Sequence, residues 1–400
     1  MEKTVCELFA GVGGFRLGLE RASPEWNTVW FSQWEPGKKK QWAHDCYIRH
    51  WGDIDEYTGM DIGLVDKHHI PDHNLLVGGF PCQDYSVARP LPGANGIKGK
   101  KGVLWWQISD ILQTKKASFV LLENVDRLLK SPAAQRGRDF GVMLSCLNKL
   151  GYCVEWRVIN AAEYGAAQRR RRTFIFAYHK ITSYSKKMIS ATNLEIISKK
   201  GFFAATFPIE PFTDARTLTL EPKEIWEISE TFKFDFGNAG FMRDGEITTL
   251  SVVPIKESPI PLRDILENDV PDKYYLGENL EKWAYLKGSK HVLRTSKSGH
   301  SYNYSEGPIA FPDPIDLPAR TMLTSESSLN RSTHVIPDSQ NGKLRLLTPL
   351  ETERIQGFED NWTNTGMPEK TRYFCMGNAL VVPMVTRMGK TLNKIFEEER

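Results

Sequence analysis

The sequence predicts an α/β fold in which a parallel sheet is covered by helices on both faces. Short β-rich runs alternate with longer helix-compatible stretches through the first half of the chain, which is the pattern of such a sheet. The length of 400 residues exceeds one ordinary domain. The alternation stops near residue 180, where Pro and Gly become frequent and aromatic residues stand among short runs. We therefore expect a second, irregular and β-rich domain inserted into the first.

The same pattern predicts six strands and three segments. In the irregular part, residues 234–250 are typical of hairpins, with Gly240 and the Asp244-Gly245 pair as turn signals. Helix signals return after residue 345, where LTPLETERIQGF carries Pro349 near a helix start, and a last helix from about residue 383 is expected to pack back on the sheet. The predicted strands lie near 4–9, 28–34, 74–78, 118–122, 152–159 and 173–178, and the predicted segments are 1–179, 180–344 and 345–400.

Composition indicates an ordinary globular protein. Hydrophobic residues make up 40% and charged residues 25% of the chain, and the longest apolar runs are too short to span a membrane. The first residues, MEKTVCELFAGVGG, do not resemble a secretion signal. Six scattered cysteines without a CxxC pair argue against a disulfide framework. We expect a cytoplasmic location, and the net charge of +3 neither indicates nor excludes a nucleic-acid partner.

The first predicted strand is followed by a glycine-rich turn, FAGVGGFRLGLE. Open α/β sheets bind ligands at the carboxyl ends of their strands, and Gly11, Gly13 and Gly14 would let the backbone approach a ligand there before a helix begins. The turn is not a dinucleotide fingerprint, since Arg16 stands where GxGxxG requires glycine. Taken alone, the turn equally fits a tight strand-to-helix connection.

Two later segments add polar groups suited to a nucleoside. Glu35 follows the turn by about 20 residues, where an acceptor for ribose hydroxyls is expected, and Trp34 offers its face to a purine. Asp53, in Gly52-Asp53-Ile54, is suited to accept from an adenine amino group. The competing interpretations are a half-buried strand aromatic for Trp34 and a solvated loop carboxylate for Asp53. Together with the turn, these residues predict a nucleoside-bearing cofactor.

The stretch VGGFPCQDYS, residues 77–86, places Cys82 directly after Pro81 at the end of a strand. A cysteine attacks as a thiolate, so its pKa must usually be lowered by a helix N-terminus or by cations such as Lys98, Lys100 and Lys101 in the same loop. The alternative is an inert buried thiol, which is the usual state of a free cysteine. The polar, glycine-rich loop favours a nucleophile.

Two further strand ends bring an acid and a run of arginines to the same edge. Glu123 emerges from an apolar strand, and burial there would raise its pKa so that it could donate a proton. In AAQRRRRTF, alternation would point Gln168, Arg170 and Arg172 to one side. Their donors suit a base edge or a phosphate. A salt-bridged or capping acid and a solvated charge run are the alternatives.

These segments, together with RYFCMGNALVVP near the end, resemble the ordered motifs of DNA cytosine carbon-5 methyltransferases. The resemblance covers residues 1 to about 178 and about 345 to 400, and it implies a Rossmann-like S-adenosylmethionine-dependent methyltransferase sheet with an inserted target-recognition domain. One departure is that Gln33 precedes Trp34 and Glu35 follows it, whereas the family often has an acid before the Trp. By the resemblance, S-adenosylmethionine would be bound by Phe9, Ala10, Gly11, Gly13, Gly14, Trp34, Glu35, Asp53, Ile54 and Asn378, the catalytic residues would be Cys82, Glu123, Arg170 and Arg172, and Pro81 and Gln168 would contact the substrate.

The resemblance also implies the chemistry and the partner. Cys82 would add to carbon 6 of a cytosine flipped out of the duplex, while a protonated Glu123 and an arginine stabilise the charge on the ring. We expect the segment 180–344, with basic and aromatic pieces such as 289–304, to hold double-stranded DNA, and Arg320 in PARTMLT to brace the fold. The enzyme would be a monomer that needs no metal and no membrane, and a cognate restriction endonuclease, acting separately, would fit it.

Two other functions remain open from the sequence. An RNA (tRNA) cytosine-5 methyltransferase would use the same catalytic set, although the long insert favours DNA. A non-catalytic nucleic-acid-binding module is the other alternative, and the intact set of Cys82, Glu123 and the segment from Gln168 to Arg172 argues against it.

Overall fold

The computed structural model describes residues 1–80, 104–212, 214–220, 225–295, 299 and 301–399. The predicted residues Pro81 and Cys82, and the lysines at 98, 100 and 101, lie outside this part of the chain. The described strands are β1 (Thr4–Leu8), β2 (Asn27–Ser32), β3 (Leu75–Gly79), β4 (Phe119–Val125), β5 (Tyr152–Asn160), β6 (Arg171–His179), β7 (Ala215–Thr219), β8 (Ala239–Arg243), β9 (Glu246–Leu250), β10 (Lys290–Thr295), β11 (Ser301–Glu306), β12 (Val335–Pro337) and β13 (Leu344–Leu346).

The helices lie between and after these strands. Short 3₁₀ turns and one π-helical turn, Ile196–Lys200, join several of them. The α-helices are α1 (Gly14–Ala22), α2 (Trp42–Trp51), α3 (Leu104–Lys115), α4 (Arg138–Lys149), α5 (Ser183–Met188), α6 (Asn193–Glu195), α7 (Phe202–Thr206), α8 (Ile225–Thr231), α9 (Leu280–Lys287), α10 (Pro349–Gln356), α11 (Glu369–Asn378) and α12 (Val382–Glu398).

A nine-stranded sheet forms the centre, in the order β2-β1-β3-β4-β6-β5-β8-β9-β7. All six strands predicted from the sequence are confirmed as β1 to β6, with ends shifted by a few residues. Successive residues of a strand point to opposite faces, so Leu75 and Val77 join one apolar core while Leu76 joins the other. The two cores confirm that both faces of the sheet are covered.

Only one half of this sheet is parallel. Strands β2, β1, β3 and β4 run parallel, whereas β6 pairs antiparallel with both β4 and β5. Beyond β5 the sheet continues antiparallel through β8, β9 and β7. The prediction of a parallel sheet therefore holds for four strands. Residues 215–250, which we placed in a separate second domain, instead extend the central sheet.

The predicted hairpin is confirmed as β8 and β9, but its two turn signals differ in role. Asp244 and Gly245 have φ angles of 52° and 77°, so they form the tight turn. Gly240 lies inside β8 instead, where a Cβ atom would come within 2.0 Å of the Trp156 ring. This glycine is therefore required by packing and not by a turn.

The carboxyl-terminal helices return to the sheet as predicted. The side chain of Thr348 caps α10 by accepting from the backbone N–H of Glu351, with Pro349 in the first turn. Helix α12 packs on α1 and on β4. The contact with β4 includes Phe396 and Phe119, whose ring centroids are 5.0 Å apart. The last helix therefore completes the apolar core that contains Phe119.

The described residues between β9 and β13 form only short elements joined by long irregular stretches, and buried charge pairs hold several of them. The predicted brace Arg320 is confirmed as one, since its guanidinium donates to Asp313 at 2.5 Å and to the Ser332 carbonyl at 3.2 Å. Arg345 is fully buried between Asp338 and Glu351, with N–O distances of 2.9 and 2.7 Å. These pairs join the irregular region to the segment that leads into α10.

Within the described ranges, none of the helices is both long and apolar enough to cross a membrane.

Candidate active site

A cavity of about 1350 Å³ opens where β1, β2, β3 and β4 end. Its position agrees with the expectation that an open α/β sheet binds ligands at the carboxyl ends of its strands. The start of β6 and the end of α11 complete the wall. The lining includes the predicted residues Phe9, Ala10, Gly11, Gly14, Trp34, Glu35, Glu123, Arg170, Arg172 and Asn378, whereas Gly13, Asp53, Ile54 and Gln168 are not part of it.

The glycine turn between β1 and α1 has a strained backbone that side chains behind it hold in place. Phe9, Gly11 and Gly13 have positive φ angles of 54°, 58° and 87°. A Cβ atom at Gly11 would meet no atom within 4 Å, so the backbone is open on that side. A Cβ atom at Gly13 would lie 2.2 Å from the Trp51 ring. Gly13 therefore permits close packing behind the turn, while Gly11 leaves room for a ligand.

Gln33, the residue at which the sequence departs from the family pattern, supports this turn. Its side-chain oxygen accepts a hydrogen bond from the Gly11 N–H at 2.7 Å. Sequence reasoning missed this role, because a buried amide acceptor has no spacing signal of its own. Trp34 and Glu35 come next and are half-buried in the cavity wall. Burial raises the pKa of Glu35, and nearby Lys38 opposes that shift.

Asp53 lies behind the wall and not in it. It is exposed, and its carboxylate accepts from the Thr58 hydroxyl at 2.9 Å. The Thr58 carbonyl in turn accepts from the Gln33 N–H at 2.9 Å. Ile54 is 43% exposed. Asp53 therefore does not line the cavity, and its hydrogen bonds connect it to the wall through Thr58 and Gln33.

Other carboxylates reach the cavity from segments that the sequence did not single out. Asp61, in the loop after α2, and Asp110, on α3, both line it. Burial raises the pKa of Asp110, which lies near Lys67. Asp61 accepts from the Gly63 N–H at 3.0 Å. No motif marks these acids, so only the folded arrangement reveals them.

Glu123 and Arg172 form an ion pair at the end of β4. The Arg172 Nε lies 2.8 Å from a Glu123 carboxylate oxygen, and the side chains are 17% and 13% exposed. Arg172 is placed there by the register of β6, which pairs it with Val125. On the other side, a Cβ atom at Gly79 would be 3.3 Å from the second Glu123 oxygen. The acid therefore stands between an arginine and the end of β3.

Asn124 holds Phe80, the residue directly after β3, in place. Its buried side-chain amide donates to the Phe80 carbonyl at 2.9 Å. The sequence pattern indicated Glu123 but not its neighbour Asn124. In the structure, Glu123 faces the cavity and Asn124 holds the chain that leads to Pro81 and Cys82.

The arginine run alternates in burial as expected, but its buried members serve different purposes. Arg170 donates to the carbonyls of Met322 and Gly377 at 3.1 and 3.0 Å. Burial and the neighbouring Arg172 lower the pKa of Arg170 to about 9. Arg171, on the other side of the strand, pairs with Asp126 at 3.2 Å. Arg170 thus contributes to the cavity wall while its guanidinium ties three chain segments together.

Gln168 lies outside the cavity wall. It is fully buried, and its side-chain oxygen accepts from the Met322 N–H at 3.0 Å. Its backbone forms a parallel bridge with Ala319, in the PARTMLT segment. Through these two contacts Gln168 joins the PARTMLT segment to the chain that leads into β6.

The site fits a nucleoside-bearing methyl donor. The cavity is large enough for a nucleoside, the backbone at Gly11 is open toward it, and an aromatic residue and a carboxylate follow β2. Within the described chain, no group of three or more His, Cys, Asp or Glu side chains is arranged to hold a metal ion.

Comparison with known proteins agrees with this site. The family model described as C-5 cytosine-specific DNA methylase matches residues 3–394. The chain is 52% identical over 397 residues to Type II methyltransferase M.Sau3AI of Staphylococcus aureus, covering 98% of this chain and 95% of that one. It is 27% identical over 438 residues to Type II methyltransferase M.NlaIV of Neisseria lactamica, covering 96% and 97%.

Solved structures show the same fold at low identity. The crystal structure of a Spodoptera frugiperda DNMT2 mutant superposes with a TM-score of 0.59 at 14% identity and covers 99% of both chains. The motifs, the cavity at the strand ends and the match along nearly the whole chain lead to one assignment. The chain belongs to the C-5 cytosine-specific DNA methylase family and is an S-adenosylmethionine-dependent DNA (cytosine-5-)-methyltransferase.

Proposed function

We propose that the enzyme methylates a cytosine flipped out of a specific duplex DNA sequence and that Cys82 forms a transient covalent bond to the base. Carbon 5 of cytosine is a poor nucleophile, so the ring must first be activated. The Cys82 thiolate adds to carbon 6, and the ring becomes electron-rich at carbon 5. Elimination of the thiolate and loss of the carbon-5 proton later restore the aromatic ring. Flipping is needed because carbon 6 is inaccessible inside a base stack.

Glu123 and Arg172 are proposed to stabilise the activated ring. When the thiolate adds, negative charge develops on ring nitrogen 3 and on the exocyclic oxygen. A hydrogen bond between the Glu123 carboxyl group and nitrogen 3 would stabilise that charge, while Arg172, whose Nε lies 2.8 Å from the carboxyl group, orients it and offers its Nη2 donors to the oxygen. Arg170 is proposed to act indirectly, because its guanidinium is already bound to backbone carbonyls.

One observation carries this proposal: Glu123 lies beside the chain that leads to Cys82. Gly79 pairs with Glu123 across β3 and β4, and Asn124 holds the Phe80 carbonyl. Residue 82 is only three residues beyond Gly79. With consecutive Cα atoms about 3.8 Å apart, its Cα can lie no more than about 11 Å from that of Gly79. This short separation along the chain supports a Cys82 thiol within reach of a base that Glu123 would bind.

S-adenosylmethionine, when bound, supplies the methyl group that carbon 5 takes up. We propose that the glycine turn and the residues after β2 hold it, with Trp34 against the adenine and Glu35 at the ribose. Asn378, an exposed residue at the end of α11, completes the wall. Asp53 is proposed to support this wall through Thr58.

The remaining proposals concern the partner and the setting. Residues 251–344 are proposed as the main DNA-binding part of the predicted segment 180–344, since 215–250 are built into the sheet. The similarity to type II methyltransferases supports a role beside a separate restriction endonuclease. We further propose that the enzyme acts as a monomer in the cytoplasm, where its DNA substrate would be.

Covalent catalysis is tested by trapping. A duplex with 5-fluorocytosine at the target position cannot lose a proton from carbon 5, so the proposed Cys82 adduct should persist and be visible as a protein–DNA conjugate by mass spectrometry. Cys82→Ala should give no conjugate and no methyl transfer, while it still binds S-adenosylmethionine. Cys146→Ala, a free buried cysteine on α4 outside the cavity wall, is the matched control. Methyl transfer by Cys82→Ala would refute the nucleophile.

The substrate is tested by bisulfite sequencing of duplex DNA treated with the purified enzyme, with tRNA treated in parallel. We expect 5-methylcytosine at one defined duplex sequence. Methylation of tRNA without methylation of duplex DNA would overturn the DNA assignment.

A further inference from the structure

The hairpin formed by β10 and β11 differs from every other sheet described above because both of its faces are exposed. Residues 291–295 of β10 are all exposed, as are most residues of β11. Leu293 is 68% exposed and Tyr302 is 43% exposed. A two-stranded hairpin without a packed face is marginally stable in water, and large apolar side chains on it mark an interaction site. A partner that covers this hairpin is therefore expected.

The base of the hairpin is held in a fixed position by Arg331. Its guanidinium donates to the carbonyls of Leu286 and Gly288 at 2.9 and 2.8 Å, and to the carbonyl of Gly307. It also pairs with Glu306 at 3.2 Å. Gly288 precedes β10 and Gly307 follows β11, so one side chain ties both strands to the rest of the protein. The hairpin is thus presented in a defined orientation.

One face of the hairpin is already engaged by the protein itself. The Arg294 guanidinium lies 3.7 Å from the centre of the Tyr304 ring. The Lys290 ammonium lies 5.1 Å from the Tyr285 ring. Glu306 belongs to the same face and is paired with Arg331. These contacts use the side chains of that face to stiffen the hairpin.

The opposite face presents small polar groups around one apolar side chain. His291 and Ser305 are hydrogen-bonded at 3.1 Å near one end, and the hydroxyls of Thr295 and Ser301 lie 3.2 Å apart near the other. Between them, Leu293 and Asn303 stand directly opposite each other, and both are exposed. We call the surface formed by His291, Leu293, Thr295, Ser301, Asn303 and Ser305 the reading face.

We propose that the reading face enters the major groove of the DNA substrate and recognises an adenine–thymine pair, with Asn303 bonded to the adenine and Leu293 against the thymine methyl group. The major groove is about 12 Å wide and admits a two-stranded ribbon. An asparagine amide matches N6 and N7 of adenine, and apolar side chains contact the thymine methyl. The proposal rests on the proposed function, since it requires a duplex substrate.

Charge favours nucleic acid as the partner. Lys290, His291 and Arg294 lie on β10, whereas the acid of the hairpin, Glu306, is paired with Arg331. Lys290 and Arg294 are cations on the face opposite the reading face, so a hairpin inserted in the groove would carry positive charge between the flanking phosphates. A protein partner of apolar character would not need them.

The test combines altered side chains with altered bases. The sequence found by bisulfite sequencing is rebuilt as synthetic duplexes in which 7-deazaadenine, which lacks the N7 acceptor, replaces one adenine at a time, or deoxyuridine, which lacks the methyl group, replaces one thymine. The wild-type enzyme should lose about tenfold in kcat/KM at one adenine and less at one thymine. Asn303→Ala should lose about ten- to hundredfold on the natural duplex and become insensitive to 7-deazaadenine at that position.

Leu293→Ala should likewise become insensitive to deoxyuridine. Asn27→Ala and Ile181→Ala are the matched controls, because both residues are exposed far from the hairpin, and Ile181 is 67% exposed. They should behave as wild type. Unchanged kcat/KM for Asn303→Ala, retained sensitivity to the altered base, or a recognition sequence without an adenine–thymine pair would overturn the proposal. Loss of all duplex methylation by the wild type would instead overturn the proposed function itself.

Discussion

The polar side chains proposed for catalysis at the strand-end cavity are mostly buried and paired, whereas the polar side chains of the β10–β11 hairpin are mostly exposed. At the cavity, Glu123 and Arg172 are 13% and 17% exposed and are bound to each other. On the hairpin, Leu293 is 68% exposed and Asn303 is open to solvent. Both regions are nevertheless fixed by an arginine that binds backbone carbonyls, Arg170 in one and Arg331 in the other. The comparison indicates that the proposed catalytic groups are already paired in the free protein, whereas the proposed reading face would find its partners only in the DNA.

Replacing Glu123 should give the largest effect on the catalytic side. In Glu123→Gln, the amide retains the shape of the side chain but cannot supply a proton, so we expect kcat to fall by about 10²- to 10⁴-fold. Single-turnover methylation at saturating DNA measures this fall. Glu281→Gln, an exposed acid on α9, is the control and should leave the rate unchanged. Turnover by Glu123→Gln at the wild-type rate would show that the pair at the end of β4 is only structural.

Substitution of two glycines with positive φ angles separates the effect of crowding from that of the backbone conformation. Gly13 has a φ of 87° and no room for a methyl group beside Trp51, whereas Gly342 has a φ of 71° and no atom within 4 Å. Gly13→Ala should lower the free energy of unfolding by about 3 kcal/mol or more, and should weaken S-adenosylmethionine binding. Gly342→Ala should lower it by about 1 kcal/mol and leave binding intact. Urea unfolding measures the free energy of unfolding of both variants, and equilibrium titration measures their S-adenosylmethionine binding. Equal losses of free energy in the two variants would mean that the structure relaxes to relieve the crowding at Trp51.

A buried acid beneath the cofactor turn predicts a pH-dependent stability. Glu7 is fully buried and accepts from the Tyr47 hydroxyl at 2.9 Å, and burial raises its pKa to about 7. The pKa of Glu7 is higher in the folded than in the unfolded protein. The contribution of Glu7 to the free energy of unfolding is therefore present at low pH and is lost as pH rises through about 7. The loss is on the order of 3 kcal/mol.

Glu7→Gln should remove this share, so that its free energy of unfolding falls less than that of the wild type between pH 5 and 8.5. Some dependence should remain, since burial also raises the pKa of Glu155 to about 7. Thermal unfolding at several pH values measures the slope, with Glu281→Gln as the control. An unchanged slope in Glu7→Gln would show that this acid is not protonated when folded.

The smallest expected effect concerns the base of the hairpin. Arg331→Ala should raise KM for DNA about tenfold while kcat at saturating DNA stays unchanged, because the hairpin is misplaced but the cavity is not. Arg331→Lys should not restore KM, since one ammonium cannot replace the branched guanidinium at three carbonyls. Arg49→Ala, an exposed arginine on α2, is the control. A fall in kcat without a change in KM would contradict a positioning role.

Much of the fold could be predicted because it depends on local pattern. Alternating apolar runs located β1 to β6, and turn chemistry located the hairpin at Asp244-Gly245. The pattern could not show that β7, β8 and β9 join the central sheet, because strand pairing is a long-range choice made by packing. Gly240 illustrates this, since only its contact with Trp156 in β5 explains it.

At the site, the residues that follow strands were found, whereas those that support them were not. Phe9, Glu35 and Glu123 lie at predicted strand ends and line the cavity. Gln33 and Asn124 act through single hydrogen bonds to backbone groups, and no spacing rule identifies such bonds. Gln168, which was expected to contact the substrate, is buried in this structure and bonded to Met322, and its spacing beside the arginines gave no sign of that contact.

The guanidinium of Arg170 has a consequence for how such enzymes can acquire new target sequences. It joins β6 to Met322 and Gly377 through their peptide carbonyls, which every amino acid possesses. Side chains at the junction can therefore vary without loosening it. A foreign recognition segment grafted between residue 251 and this junction could dock on the same arginine, which would make the specificity of the enzyme exchangeable while β7, β8 and β9 stay in the central sheet.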